Sequence, residues 1–512
     1  MTVLDLRSSP HTEAPVVTPI GRIGDGPERR WTTVAWLTAI CAALAAFSLR
    51  PGSNTNAFQD EGLYLFMGHR MIEHVMQGVH VTEYPGSYFS GAPGLYPVIG
   101  AMVESFAGLQ GARILSLVFV MGCVVAIYSA GRDLFGRNAG LIGAGAFAIN
   151  GSVVFVSHLA TFDALAIMLL AIAFKLTTFS ATRGMFLLAP VVGFVLAAMF
   201  FTKYGTAVFI PGVTALGAAL CWHRLQWGAV RRALLGVAAA ASSVFFVITF
   251  WAPDLMGGIM STTASRTPIS PASTERLLDH VITWAGPWLA LAVLGAVVMW
   301  RRPVVALLLL AMSVATAVQH IRIHEETSLS KHLAFGLVFA APLIGALGAR
   351  FLATSRWIGV PFIALVAVSL GSMGLTHSQQ FLTTWVDDGA VVEQLREDIP
   401  RVPGKAVLGE EPSAQRYELR GELAPILWTD TFSFGYDNLT GIEAYEQAID
   451  QSHFGIIYLT LNTANGKLIN SYLTSEETPY RLSAKVPFTR YDEFAGYYLV
   501  WTPKVLEGSP TN

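Results

Sequence analysis

The sequence is short of charge. Asp, Glu, Lys and Arg together make up 13% of its 512 residues, whereas hydrophobic residues make up 53%. A soluble domain carries about 25% charged residues, so an ordinary globular protein is excluded and a polytopic membrane protein is implied. The mean hydropathy of +0.50 agrees. Cysteine is equally scarce. Cys41, Cys123 and Cys221 lie in or beside apolar runs and the polar segments hold none, which excludes a disulfide framework and a cysteine metal site. There is no HExxH or comparable ligand spacing, so Asp60, His69 and His74 are not read as metal ligands. The net charge of -2 carries no conclusion about nucleic acid, which is not among the expected partners. Repeated halves and paired interrupted segments are also missing. They would mark a secondary transporter, so a transporter or flippase of a sugar or lipid-linked substrate is the alternative reading.

Long hydrophobic runs are what the chain does have. Residues 1–30 are polar, rich in Pro and Thr, and end in Glu28-Arg29-Arg30, which reads as a disordered cytoplasmic tail with a basic flank. The run Trp31 to Leu49 is long enough to cross a bilayer and lacks a small-residue cleavage pattern beyond it, so it is expected to be a signal anchor. Further spans are expected near 112–130, 139–157, 164–181, 185–202, 204–221, 234–252, 281–300, 303–320, 333–349 and 357–375. Pro93 to Ala107 is short, carries Glu104 and is rich in Pro and Gly. If it crossed, the loop with Arg132 and Arg137 would face outward and later loops would alternate wrongly. If it stays at the interface, those arginines, Arg183, Arg224, Arg231-Arg232, Arg301-Arg302, Arg350 and Arg356 all fall inside, as the positive-inside rule requires. The expectation is eleven spans, with the N-terminus in the cytoplasm and the C-terminus outside the plasma membrane.

That sidedness gathers the remaining charge at one mouth of the bundle. Asp60 and Glu61 follow the first run, where carboxylates can stay ionised in water against an apolar wall and serve in proton transfer. They also suit the N-terminus of the helix that follows. In that helix Leu63, Phe66, Met67, Met71 and Val75 recur at helical spacing, while His69, Arg70, Glu73 and His74 form a polar side, read as solvated on a helix lying flat at the outer interface. Asp163 interrupts an apolar stretch. A carboxylate at the centre of a span costs about 2.5–3.5 kcal/mol, so Asp163 is either functional or the cap of the next helix. Lys203, in a break between two runs, either snorkels or holds a phosphate. Arg322, His324, Lys331 and His332 fall at the same face, where positive charge runs against the usual bias and favours an anionic ligand. The loop 253–280, with Gly257-Gly258 as its expected hinge, is expected to order over a lipid donor. After residue 376 the hydropathy falls. Strands are expected at Ala406–Gly409, Gly455–Thr460, Tyr480–Val486 and Tyr497–Trp501, with helices near 388–398 and 441–450, forming a small exterior α/β domain.

In this order, DEGLY (60–64), SGAPGLYPVIG (90–100), ARILSLVFV (112–120), GRDLFGRNAGLIGAGAFA (131–148), HLATFDALAIMLLA (158–171), TKYG (202–205) and KHLAFGLVFAAPLIG (331–345) resemble the GT-C superfamily of membrane glycosyltransferases. The resemblance covers residues 31–375 and is strongest to the branch of protein O-mannosyltransferases and the lipid A aminoarabinose transferase. Where many such sequences carry a His-Pro-Pro-Leu-Tyr-like segment, this one has Ala92-Pro93-Gly94-Leu95-Tyr96. The resemblance implies an all-α membrane bundle that transfers a sugar, with inversion, from a polyprenyl-phosphate donor to a glycan, lipid or protein acceptor of the cell envelope. It implies Asp60 as the first-loop catalytic acid, acting as general base, with Glu61 as the substitute candidate. Asp163 is then the second-loop acid, positioning the acceptor or a divalent metal ion. No cofactor is otherwise implied. Lys203, with Arg322 or Lys331 and with His332 beside them, would hold the departing lipid phosphate.

Overall fold

A computed structural model describes residues 30–49, 56–81, 89–266, 268, 270–383, 385–490 and 495–504. The expected tail, apart from Arg30, and Glu83-Tyr84-Pro85 lie outside the described residues. Every predicted apolar run is helical. The bundle comprises α1 (Arg30–Ser48), α2 (Gln59–Gln77), α3 (Tyr96–Phe135), α4 (Arg137–Ala148), α5 (Gly151–His158), α6 (Phe162–Arg183) and α7 (Leu188–Thr202). It continues with α8 (Ile210–Leu225), α9 (Trp227–Phe246), α10 (Leu255–Thr262), α11 (Thr274–Val298), α12 (Pro303–Arg322), α13 (Leu329–Thr354) and α14 (Arg356–Thr383). Among the described residues nine helices are long and apolar enough to cross a membrane, or ten if the bent pair α4 and α5 forms one span. The 15-residue α7 is a shorter apolar helix. The chain is a multi-pass membrane protein, and α13, buried along almost its whole length, is its central post.

The run expected at 139–157 is not one straight span, because α4 and α5 meet at 68°. Asn150 is the reason. Its side chain accepts from Ser152 N at 2.9 Å and so caps a new helix, while its amide donates to the Trp284 carbonyl at 3.3 Å. The stretch 93–107 supplies the first arm of α3, which breaks at Gly108 (φ 65°, ψ −175°), a backbone geometry that glycine reaches without a Cβ clash.

The C-terminal domain holds α15 (Gly389–Asp398), β1 (Ala406–Gly409), α16 (Ser413–Glu418), β2 (Trp428–Asp430), the small hairpin β3 (Gly435–Tyr436) and β4 (Leu439–Thr440), and α17 (Ile442–Asp450). It ends with β5 (Phe454–Leu459), α18 (Ala464–Leu473), β6 (Tyr480–Thr489) and β7 (Ala495–Pro503). Its sheet runs β2-β1-β5-β7-β6, parallel through β2, β1 and β5 and antiparallel beyond. The continuous apolar burial of β5 follows from its central place, with a hydrophobic cluster on each face.

This domain changes the setting of α2. The helix does not lie flat with one solvated face, since Glu61, Gly62, Tyr64, Leu65, Phe66, Met67 and Gly68 are all buried. The first arm of α3 covers one side, so close that a Cβ on Gly68 would meet the Pro97 carbonyl oxygen at 2.0 Å. On the other side α16 approaches Gly62, where a Cβ would stand 2.5 Å from the Ser413 carbonyl oxygen, and Arg416 lies over the Phe66 ring at 4.3 Å. His69, expected on the solvated side, pairs with Glu104 at 2.7 Å. Glu104 also accepts from Tyr417 at 2.8 Å and Arg420 at 2.9 Å, and Arg70 takes Glu73. A polar side chain leaves water for such a setting when its partners are supplied.

Candidate active site

Asp60 and Glu61 are separated by the helix that contains them. Glu61 is fully buried. Its carboxylate accepts from Arg113 Nε at 2.9 Å and Arg113 Nη2 at 2.7 Å, from Ala160 N at 2.7 Å and from Phe58 N at 2.9 Å. Burial opposes its charge, but Arg113 and these amides hold the carboxyl below its ordinary range. The cluster ties the start of α2 to α3 and to the Leu159–Thr161 turn that leads into α6.

Asp60, one residue earlier, turns to Lys331 on α13, and its side chain keeps 29% of its surface open. Lys331 also stands 3.3 Å from Asp163 Oδ2, and Lys203 stands 2.7 Å from Asp163 Oδ1. Asp163 is fully buried in the first turn of α6, where Thr161 Oγ1 donates to it at 3.3 Å. It is thus both paired and near a helix start. The Lys203 ammonium lies over Phe162 at 4.7 Å, and Phe162 stacks on Tyr64 at 4.1 Å. Two carboxylates and two lysines from α2, α6, α13 and the end of α7 therefore meet at one place.

Ser90 to Ala92, whose last residue stands where the pattern has its His, braces Lys203 through its backbone. Ala92 N donates to the Phe201 carbonyl at 2.7 Å and Tyr204 N to the Ser90 carbonyl at 2.8 Å. Gly91 is required there, because a Cβ would lie 2.4 Å from the Thr202 carbonyl oxygen.

Behind Lys203 opens a cavity of about 370 Å³. Its polar wall carries Lys203, Arg266, His320 and His332, and its apolar wall includes Val208, Phe209 and Phe335. His320 Nε2 and His332 Nδ1 are 2.7 Å apart, so one proton lies between the rings. Glu325, fully buried, accepts from Ser270 N at 3.1 Å and Thr327 N at 2.9 Å and faces Arg266 at 3.6 Å. It holds the loop that carries Arg266 against the loop between α12 and α13.

Of the predicted residues, Asp60, Asp163, Lys203 and Lys331 converge, and His332 lines the adjoining cavity. Glu61 belongs to the Arg113 cluster. Arg322 is exposed at the end of α12 and is not among the cavity's lining residues. Arg266 and His320 take the places that the sequence reading gave to Arg322. Gly257-Gly258, expected in a loop, is part of α10, which packs through Leu255 and Ile259 on Phe201 and Tyr204.

A resident divalent ion does not fit these residues. Lys331 occupies the space between the two carboxylates, and among the described residues no three of His, Cys, Asp and Glu converge as ligands.

The comparisons agree with this architecture. The family described as dolichyl-phosphate-mannose-protein mannosyltransferase matches residues 97–252. No curated protein matches in sequence. Among solved structures, ArnT from Cupriavidus metallidurans bound to undecaprenyl phosphate superposes with a TM-score of 0.60 at 13% identity, covering 94% of this chain and 100% of its own. The oligosaccharyltransferase AglB of Archaeoglobus fulgidus, in complex with an inhibitory peptide and a dolichol-phosphate, gives 0.60 at 11% identity over 94% of this chain and 75% of its own. The mycobacterial arabinofuranosyltransferase AftD gives 0.54 at 13% identity over 94% of this chain and 40% of its own. The chain has the fold of the GT-C membrane glycosyltransferases, and its resemblance is to the branch of ArnT and the protein mannosyltransferases.

Proposed function

We propose that the protein is an inverting glycosyltransferase that moves a sugar from a polyprenyl phosphate to a hydroxyl acceptor of the cell envelope on the outer face of the plasma membrane. The observation that carries the reading is Lys331 set between Asp60 and Asp163, beside a basic cavity with an apolar wall. A lipid-linked phosphate has those two characters, an anionic head and an apolar tail. Sidedness rests on the basic loops, which all fall on one side when the spans alternate as the sequence suggests. Two of the basic segments are pinned to neighbouring elements, Arg137 donating to Thr32 at 2.6 Å and Arg232 to the Met185 carbonyl at 2.8 Å.

In the reaction, the acceptor oxygen attacks the anomeric carbon from the face opposite the phosphate. Asp60, the more open carboxylate, takes the hydroxyl proton as the new bond forms. The bond from the anomeric carbon to the phosphate oxygen breaks, and its electron pair leaves with the lipid phosphate. Lys203, Arg266 and Lys331 stabilise that charge. As the donor phosphate enters, it draws Lys331 from Asp60 and frees the base. Asp163 fixes both lysines and is a positioning residue. Glu61 is structural.

The test uses the full chain in lipid nanodiscs with a mixed pool of polyprenyl-phosphate sugars and an envelope extract, read by mass spectrometry. One donor species is expected to disappear with wild type and to persist with Asp60→Asn and Asp163→Asn. If all donors survive with folded wild type and sugar instead crosses liposome membranes, the enzyme reading fails and a transporter replaces it.

A further inference from the structure

A second cavity, of about 260 Å³, opens where the first turn of α2 meets the C-terminal domain. Its lining includes Phe58 and Gln59, so it shares that turn with Asp60. We infer that this cleft is the acceptor subsite and that it takes one neutral sugar ring of a glycan acceptor. The inference rests on the transferase reading and names its acceptor class.

Three features select that ligand. The first is apolar surface with polar tips. Trp385 and Tyr498 contribute ring surface, to which the C–H face of a sugar can lie. Trp385 is held by Phe58 at 4.9 Å and by Arg113 over its ring at 5.4 Å, and is 96% buried. Its indole N–H is buried and has no acceptor among the described residues.

The second feature is spare amide capacity. Gln415 is buried, and among the described residues its side chain makes two hydrogen bonds, each at 3.5 Å, with the hydroxyls of Tyr458 and Tyr498. Asn462 is exposed at the rim. Amides that both donate and accept match vicinal hydroxyls.

The third feature is charge. Glu410 is fully engaged by the amides of Thr460 at 2.7 Å, Leu461 at 2.7 Å and Thr463. Asp388 and Glu411 also line the cleft, with Arg490 as its one cationic side chain. The lining therefore offers an acidic or phosphorylated acceptor one cation against three carboxyl groups, in contrast to the basic donor cavity. The volume falls just below the range of about 300–1,000 Å³ for drug-sized ligands, so it suits one ring and leaves the rest of the glycan in water.

The experiment is saturation-transfer NMR on the full chain in nanodiscs, without donor, using maltotriose and mannotriose as probes and a Thr-rich peptide for comparison. At least one trisaccharide is expected to bind through one terminal ring. Binding should weaken at least tenfold in Asn462→Trp, which fills the rim, and in Gln59→Ala, which alters the opposite wall. Asn462 is exposed and Gln59 half-buried, so both variants fold. Trisaccharide binding unchanged in both variants, or capture of the peptide alone, overturns the inference. Sugar binding that depends on the cleft, in a protein that never consumes any polyprenyl-phosphate sugar, leaves the cleft standing and overturns the transferase reading instead.

Discussion

Asp60 and Glu61 are neighbours in sequence whose carboxylates serve different helices, Asp60 meeting Lys331 on α13 and Glu61 meeting Arg113 on α3 at 2.7 Å. Consecutive helical residues point about 100° apart, so only one of the two can face the acceptor. Asp60→Asn is expected to lower transfer by about 10²–10⁴-fold, the scale of a lost general base, with little change in melting temperature. Glu61→Gln is expected to do the reverse. It leaves Arg113 buried without its counter-charge, at a cost of about 3–5 kcal/mol. A thermal melt and a turnover assay on both variants separate the roles. Equal loss of turnover in two equally stable variants would contradict the assignment.

Arg266 and Arg322 give the second contrast. Arg266 lines the basic cavity and Arg322 is exposed. Arg266→Ala is expected to weaken binding of undecaprenyl phosphate by about 10- to 100-fold, the scale of a hydrogen bond to a charged group. Arg322→Ala is expected to leave it within twofold. Titration of tryptophan fluorescence with the lipid phosphate reads both.

How far the sequence revealed this site can be seen from these same residues. The apolar runs were legible because a bilayer imposes a minimum length on single segments. Asp163 stood out for the cost of a carboxylate in an apolar run. Arg266 escaped, although the argument about outward positive charge applied to Arg322 applies to it equally. Which arginine turns inward depends on Glu325, whose carboxylate ties two loops 55 residues apart, and no local pattern encodes that. The Asn150 break and the burial of α2 were hidden for the same reason. α14 crosses at Gly151, where a Cβ would meet His377 at 2.5 Å, and α16 seats on Gly62. In the C-terminal domain the strands β1, β5, β6 and β7 followed from β-rich runs. The short β2 and α16 lacked the length to be read, whereas α18 is as long as α15 and was missed.

Gly91 supplies a backbone test. Gly91→Ala would set a methyl group 2.4 Å from the Thr202 carbonyl oxygen, backbone that cannot rotate away. The pairing of Ser90–Ala92 with Phe201–Tyr204 must then open, which moves Lys203. Lipid-phosphate affinity and turnover are both expected to fall at least tenfold, with a cost in stability of about 1–3 kcal/mol, as for overpacking. Gly94→Ala, three residues away in open space, is the control and is expected to bind lipid phosphate as wild type does.

The pH dependence of stability should carry the mark of Asp388. Burial raises its carboxyl from 3.8 to about 7, with Asp387, Glu411 and Glu418 adding to the rise and the hydrogen bond from Tyr498 opposing it. A raised carboxyl binds its proton more tightly folded than unfolded. Below about pH 4 the group is protonated in both states and has no effect. As pH rises from about 4 to 7 the unfolded chain releases the proton first, so stability falls by about 4 kcal/mol and then levels off. Asp388→Asn keeps an acceptor for Tyr498 and cannot ionise. Melting temperatures of the full chain, taken from pH 5 to pH 8, should therefore show the variant gaining on wild type up to pH 7 and running parallel above it. A constant difference across that range would mean that Asp388 stays ionised in the folded protein.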